Sequence, residues 1–206
     1  MELLKELVKN GDAGETAGRV RELLTGGTDP EVIMKEALIP AMDEVGDQFQ
    51  AGEAFVPEML IAARAMQSGL DVLKPALAES GIEPLGKVIV GTVRGDLHDI
   101  GKNLVVMVLE GAGFEVVDLG IDVSPDQFVE AIKEHSPQIV GLSALLTTTM
   151  LAMRDTIDAV KEAGLRGQVK IMVGGAPLRQ EYADEIGADF YGSDSTAARN
   201  YAKEAV

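Results

Sequence analysis

The chain has 206 residues, 46% hydrophobic and 25% charged, which is the make-up of an ordinary globular protein with room for one large domain or two small ones. It has no cysteine, which removes disulfides, thiolate zinc sites, iron–sulfur ligation and cysteine nucleophiles together. A formal charge of −16 repels phosphate backbones and so argues against nucleic acid, while favouring basic partner surfaces.

The opening stretch, MELLKELVKN, carries acids and no long apolar core, so it does not read as a signal peptide. No run of about 18 apolar residues is present to span a membrane. The expectation is a cytoplasmic protein without membrane attachment.

Residues 1–83 read as helices only. Leu3, Leu4, Leu7 and Val8 form one apolar stripe, and Val20, Leu23 and Leu24 end a second that Gly26 and Gly27 close. Thr28-Asp29-Pro30-Glu31 is a helix start, with a capping side chain followed by proline in the first turn. From there Met34, Leu38, Met42, Val45 and Phe49 recur at helical spacing. A last helix follows Pro57, with Met59, Ala63, Met66, Leu70, Leu73 and Leu77 spaced by fours and threes. Such stripes with short connections predict an N-terminal four-helix bundle over 1–83. Ser80 to Gly86 is rich in turn formers and reads as a linker.

From residue 84 to 206 the pattern changes to short apolar strands alternating with helices. Strands are predicted at 87–93, 114–119, 139–142, 169–173 and 189–191. Helices are predicted at about 101–111, from 124, at about 148–163 and from about 195. This alternation implies a parallel sheet covered on both faces, in an α/β fold of the flavodoxin-like, doubly wound (Rossmann-like) order. Ligands of such sheets bind beyond the carboxyl ends of the strands, near the switch point between the first and third. The segments to inspect are therefore 94–101, 143–149 and 174–177.

The first segment reads Gly95-Asp96-Leu97-His98-Asp99-Ile100-Gly101-Lys102-Asn103 and holds one of the chain's two histidines. The other, His135, ends a helix and is expected to face helix-end carbonyls. A phosphate-binding loop would need four residues between Gly and Gly-Lys, then Ser or Thr. Here five intervene, Asn103 follows the lysine, and Asp96 and Asp99 would oppose a phosphate. A phospho-acceptor domain would want an aspartate ending the third strand, where this chain has Leu142-Ser143. Two readings remain. Either His98 is a loop histidine hydrogen-bonded to a neighbouring aspartate, or Asp96 and His98 form a carboxylate–histidine pair whose imidazole binds a metal. A single histidine cannot build a zinc site. It suits a metal whose other ligands come from a macrocycle.

Taken together, Asp96-x-His98-x-x-Gly101, then Ser143-x-Leu145, then Gly174-Gly175 resemble the cobalamin-binding signature. That signature belongs to methionine synthase, adenosylcobalamin mutases and corrinoid methyl-transfer proteins. The resemblance implies a cobalamin or related corrinoid cofactor whose dimethylbenzimidazole tail leaves the cobalt and is buried beside the sheet. It makes His98 the metal ligand and Asp96 its hydrogen-bond partner. Thr149 stands where methionine synthase has a serine completing the relay. Gly95, Leu97, Asp99, Ile100 and Gly101 complete the ligand loop. Ser143, Leu145 and Thr147 would line the nucleotide pocket, and Gly174 and Gly175 would let the tail approach the backbone.

Gly46-Asp47-Gln48-Phe49-Gln50-Ala51-Gly52-Glu53-Ala54-Phe55-Val56-Pro57-Glu58 resembles the cap domain of methionine synthase. On that resemblance residues 1–83 are the cap and 84–206 the cobalamin domain. Phe49 and Val56 match the two apolar residues over the cobalt-bound methyl. With no substrate barrel, homocysteine domain or reactivation domain, the chain is similar to the stand-alone corrinoid proteins of three-component methyltransferase systems. Leu145-Leu146-Thr147-Thr148-Thr149-Met150 looks like those serving methylamines, betaines or methoxylated aromatics.

Such a carrier takes a methyl group on cob(I)alamin from a substrate-specific corrinoid methyltransferase. It then presents methylcobalamin to a second methyltransferase acting on coenzyme M or a tetrahydrofolate. Its loop pair Asp96–His98–Thr149 is a ligand relay, and re-reduction of cobalt falls to a separate reductive activase. The alternatives are a cobalamin-binding sensor module, whose DNA-reading head is missing here, and a mutase small subunit, for which the bundle is superfluous.

Overall fold

Apolar stripes on one face of each N-terminal helix, and apolar runs in each later strand, decide which surfaces are covered. The computed structural model describes residues 1–80 and 84–206 and divides into two units. One comprises Met1–Pro84 with Met107–Gly113, the other Leu85–Val106 with Phe114–Val206. Residues 81–83 of the predicted linker lie outside the described residues.

In the first unit α1 is Glu2–Lys9 and α2 is Ala13–Thr25. Leu4, Val8 and Val20 are buried, whereas Leu3, on the predicted stripe, stands 58% exposed. Asp29 caps α3, Pro30–Ile33, by accepting from the Glu31 N–H at 2.8 Å, with Pro30 in the first turn. The predicted single helix then widens into a π-helical turn over Met34–Leu38 before resuming as α4, Ile39–Gln50. Pro40 explains the turn. It has no N–H to donate and its ring crowds the preceding carbonyls, so an extra residue is taken up just ahead of it. Ile39 donates to Met34 O, five residues back. Helix α5, Val56–Ser80, buries Met59, Ala63, Met66, Leu70 and Leu73. With the stretch from Pro30 to Gln50 counted as one helix, residues 1–80 form four helical segments, and the end of a later helix, residues 107–111, belongs to the same unit.

In the second unit the strands are β1 Lys87–Thr92, β2 Glu115–Asp118, β3 Ile139–Ser143, β4 Lys170–Gly174 and β5 Phe190–Gly192. The sheet is parallel in the order β2-β1-β3-β4-β5, the doubly wound arrangement expected from the alternation. Crossovers run through α6 Ile100–Gly111, α7 Pro125–His135, α8 Met150–Glu162 and α9 Gln180–Ile186, and α10, Ser195–Ala205, follows β5. A capping box between Ser124 and Gln127 starts α7, behind Pro125.

Helix α9 is an element the sequence reading did not place. It is seven residues long, buries only Ala183 and Ile186, and stops at Gly187 in the left-handed conformation. Ile89, Val140, Leu142, Ile171 and Val173 of the sheet pack in one core with Phe128, Met153, Ile157 and Val160 of the helices. The ring of Phe128 lies where a Cβ on Gly91 would stand, 2.7 Å from Cζ. Glycine is thus the residue that lets α7 settle on β1. Register aligns Thr92, Ser143, Gly174 and Gly192 across the carboxyl edge, so four neighbouring strands end there in small side chains.

Candidate functional site

Chain geometry brings the first two loops together on one carboxylate. Beyond β1 the backbone turns at Gly95, φ +82°, and buries Asp96 completely. Its Oδ1 accepts from the His98 N–H at 3.0 Å and faces His98 Nδ1 at 2.8 Å. Its Oδ2 accepts from Leu145 N–H at 2.8 Å, Leu146 N–H at 3.3 Å and the Thr149 hydroxyl at 2.6 Å.

Burial alone would raise the Asp96 pKa. The donors from Thr149, His98 and Leu145 outweigh it and hold the carboxyl well below its ordinary range. An ionised Asp96 only accepts, so the bonded Nδ1 of His98 carries a proton, and in the neutral imidazole the lone pair is therefore on Nε2. The imidazole is half exposed, at 51%, and Thr92 fixes its backbone by donating its hydroxyl to His98 O at 3.0 Å.

Thr149 is the residue ahead of the first turn of α8, where a hydroxyl ordinarily caps the helix. Here no such cap bond forms. The single proton of the hydroxyl lies 2.6 Å from Asp96 Oδ2 and 2.9 Å from Leu146 O, and the shorter, charged acceptor is the stronger.

Leu97 and Ile100, after β1, are 66% and 75% exposed, and Ile121, after β2, and Leu145 and Leu146, after β3, are also exposed. Five large exposed apolar side chains thus stand at the carboxyl edge of the sheet, four on the loops after β1, β2 and β3 and Ile100 at the start of α6. Asp99 is tied to the first turn of α6 by the Asn103 side chain at 3.1 Å, and Gly101 is exposed there. Ser143 is half-buried at the end of β3, and Thr147 is exposed.

Gly174 ends β4, where a Cβ would come within 3.3 Å of Gly192 O. Gly175, at φ +139°, has a reason within the protein itself, because a Cβ there would stand 1.9 Å from Ala144 O. Phe49, half-buried on α4, and Val56, exposed at the start of α5, belong to the first unit.

Three features were not foreseen from sequence. Lys102 is buried in the first turn of α6 and reaches Asp118 Oδ2 at 2.5 Å and Asn103 Oδ1 at 2.6 Å. A lysine in the first turn of a largely apolar helix, with an acid ending the next strand, was the available signal. Asp122 adopts a left-handed backbone, φ +54°. Thr196, in the first turn of α10, keeps a buried hydroxyl without a hydrogen-bond partner. His135 is half-buried in the last turn of α7.

The donor set tests what this edge can hold. Among the described residues no group of three or more His, Cys, Asp or Glu side chains is placed to hold a metal ion. One half-exposed imidazole whose inner nitrogen is held by a buried carboxylate, at a sheet edge carrying exposed apolar side chains, fits a metal already enclosed in a flat organic ligand. Among the described residues no helix is long and apolar enough to cross a membrane.

Residues 86–201 match a family model described as a B12 binding domain, and residues 1–74 match a second model of the same description. The trimethylamine corrinoid protein 2 of Methanosarcina acetivorans is 47% identical over 204 residues, 98% of this chain and 94% of that one. The dimethylamine corrinoid protein 1 of the same organism is 46% identical over 184 residues, 89% and 86% of the two chains. A chain in the crystal structure of the methanol:cobalamin methyltransferase complex from Methanosarcina barkeri superposes with a TM-score of 0.86 at 28% identity. The match covers 98% of this chain and 77% of that one.

Proposed function

Because the chain belongs to the B12-binding family of corrinoid proteins, we propose that it carries methyl groups for a methyltransferase acting on methylated amines. Its cofactor is a corrinoid, whose cobalt supplies the methyl-accepting and methyl-releasing chemistry when bound. The rest of the work belongs to the protein.

His98 ligates the cobalt through Nε2. Asp96 fixes the tautomer by holding the proton on Nδ1, 2.8 Å away, and Thr149 keeps Asp96 ionised. Gly95, Leu97, Asp99, Ile100 and Gly101 form the loop that presents this imidazole, and the apolar side chains around it exclude water. Ser143, Leu145, Thr147, Gly174 and Gly175 line the place of the nucleotide tail. Phe49 and Val56 keep the shielding role that the resemblance to the cap of methionine synthase gives them.

Relatives named for trimethylamine and dimethylamine, each alike to this chain over most of its length, support the methylated-amine class over betaines and methoxylated aromatics. The partners in this reading are a substrate-specific corrinoid methyltransferase, a second methyltransferase to coenzyme M or a tetrahydrofolate, and a reductive activase, all in the cytoplasm.

One observation carries the proposal: a half-exposed imidazole whose inner nitrogen is committed to a buried carboxylate. The test reconstitutes the protein and its His98→Ala variant with hydroxocobalamin. The variant should fold and bind, but show the absorption spectrum of a corrinoid without imidazole ligation. An unchanged spectrum overturns the ligand role. Methyl transfer from trimethylamine with a cognate methyltransferase, set against glycine betaine and a methoxylated aromatic, decides the substrate class.

A further inference from the structure

The backbone beyond β2 is shaped around the His98 loop. Thr92 N–H donates to Gly120 O at 2.9 Å and Val123 N–H donates to Thr92 O at 2.9 Å, so the segment 120–123 is laced to the end of β1. Between those two bonds Asp122 takes the left-handed conformation, which side chains with a Cβ rarely adopt. From that position it grips one dipeptide twice. Its Oδ1 accepts from the Gly95 N–H at 2.7 Å, across 27 positions of sequence, and its own N–H donates to Asp96 O at 3.1 Å. Residues 95 and 96 are the two immediately before Leu97 and His98. Strained backbone of this kind persists only where the surroundings over-determine it. Here the surroundings are the two bonds to the loop that carries the imidazole.

We propose that Asp122 is a positioning residue that fixes the Gly95–His98 segment, and through it the direction in which His98 offers Nε2. This rests on the reading of His98 as the cobalt ligand. It is the side-chain oxygen presented from a left-handed turn that matters, not the negative charge, because the partner is a backbone N–H. Asparagine places an equivalent oxygen at the same reach and tolerates the same backbone. Glycine tolerates the backbone and lacks the oxygen. Alanine lacks both.

The experiment measures amide hydrogen exchange at Gly95 and His98 in the apoprotein, and imidazole ligation by absorbance after reconstitution with hydroxocobalamin, for Asp122→Asn, Asp122→Gly and Asp122→Ala. Expected are wild-type exchange and ligation in the asparagine variant. Exchange at Gly95 should be about tenfold faster or more in the glycine and alanine variants. Both should also lose part of the imidazole-ligated spectrum while circular dichroism stays native. Wild-type protection in Asp122→Gly, or loss in Asp122→Asn as large as in Asp122→Ala, overturns the proposal. If His98→Ala leaves the holoprotein spectrum unchanged, the ligand reading fails, yet the apoprotein exchange rates still decide the clamp. If His98→Ala abolishes ligation while Asp122→Ala changes neither readout, the clamp alone fails.

Discussion

Replacing Thr149 by valine keeps the shape of the side chain and removes the donor that sits 2.6 Å from Asp96 Oδ2. A hydrogen bond to a charged group contributes about 1.5–3 kcal/mol. Oδ2 retains the Leu145 N–H at 2.8 Å, so the carboxylate is not stripped of donors and the lower part of that range, about 1.5–2 kcal/mol, applies. For a chain of this size each kcal/mol moves the melting temperature by about 2–4 °C, so a drop of about 3–8 °C is expected.

The loss is linked to pH. In the folded protein the Asp96 carboxyl titrates below its ordinary value of 3.8, so the stability it contributes is full above that value. It is lost as the pH falls towards the folded value. Valine narrows the gap between folded and unfolded titration. The difference from wild type should therefore be full at neutral pH, persist through 3.8, and shrink only as the pH falls into the lower range where the folded-state carboxyls titrate. Urea denaturation of the apoproteins at a series of pH values reads both quantities, with Thr149→Ser as the variant that keeps the hydroxyl. An equal loss in the serine and valine variants, or a valine penalty that grows as the pH falls below 3.8, refutes the reasoning.

Gly175→Ala places a Cβ 1.9 Å from Ala144 O at a backbone angle of +139°. The apoprotein should lose about 3 kcal/mol or more by urea denaturation, before any cofactor is involved, and a loss confined to cofactor affinity would contradict this. Gly91→Ala meets the ring of Phe128, 2.7 Å away at Cζ, and should cost about 1–3 kcal/mol of overpacking. Adding Phe128→Leu should recover part of that loss, and a strictly additive double variant shows that the two positions do not interact.

The α/β order was legible because strands such as Val88-Ile89-Val90 are buried on both faces and read as continuous apolar runs. Their ends shifted by a residue or so, as at β4 and β5, since pairing with the neighbouring strand, not side-chain preference, stops them. Helix α9 escaped because seven residues with two buried side chains carry too little periodicity. Pro40 was visible, but its effect, one extra residue in the turn ahead, is a backbone response that a stripe of Met34, Leu38, Met42 and Val45 does not encode.

At the site, the resemblance to the cobalamin-binding signature marked Asp96, His98 and Thr149, and the structure brings His98 and Thr149 onto the one carboxylate of Asp96. Asp122 and Lys102 stayed hidden because their partners lie 27 and 16 positions away, where only the folded sheet makes them neighbours. Gly175 was marked for the sake of a ligand, yet its nearest neighbour is the carbonyl of Ala144.

The bonds that Asp96 accepts from Leu145, Leu146 and Thr149 span 49 to 53 positions of sequence. No local turn can form them, so Asp96 Oδ2 gains its donors only once β3 lies beside β1. Satisfying this carboxylate therefore carries the entropic cost of closing a long stretch of chain, which a contact between near neighbours would not.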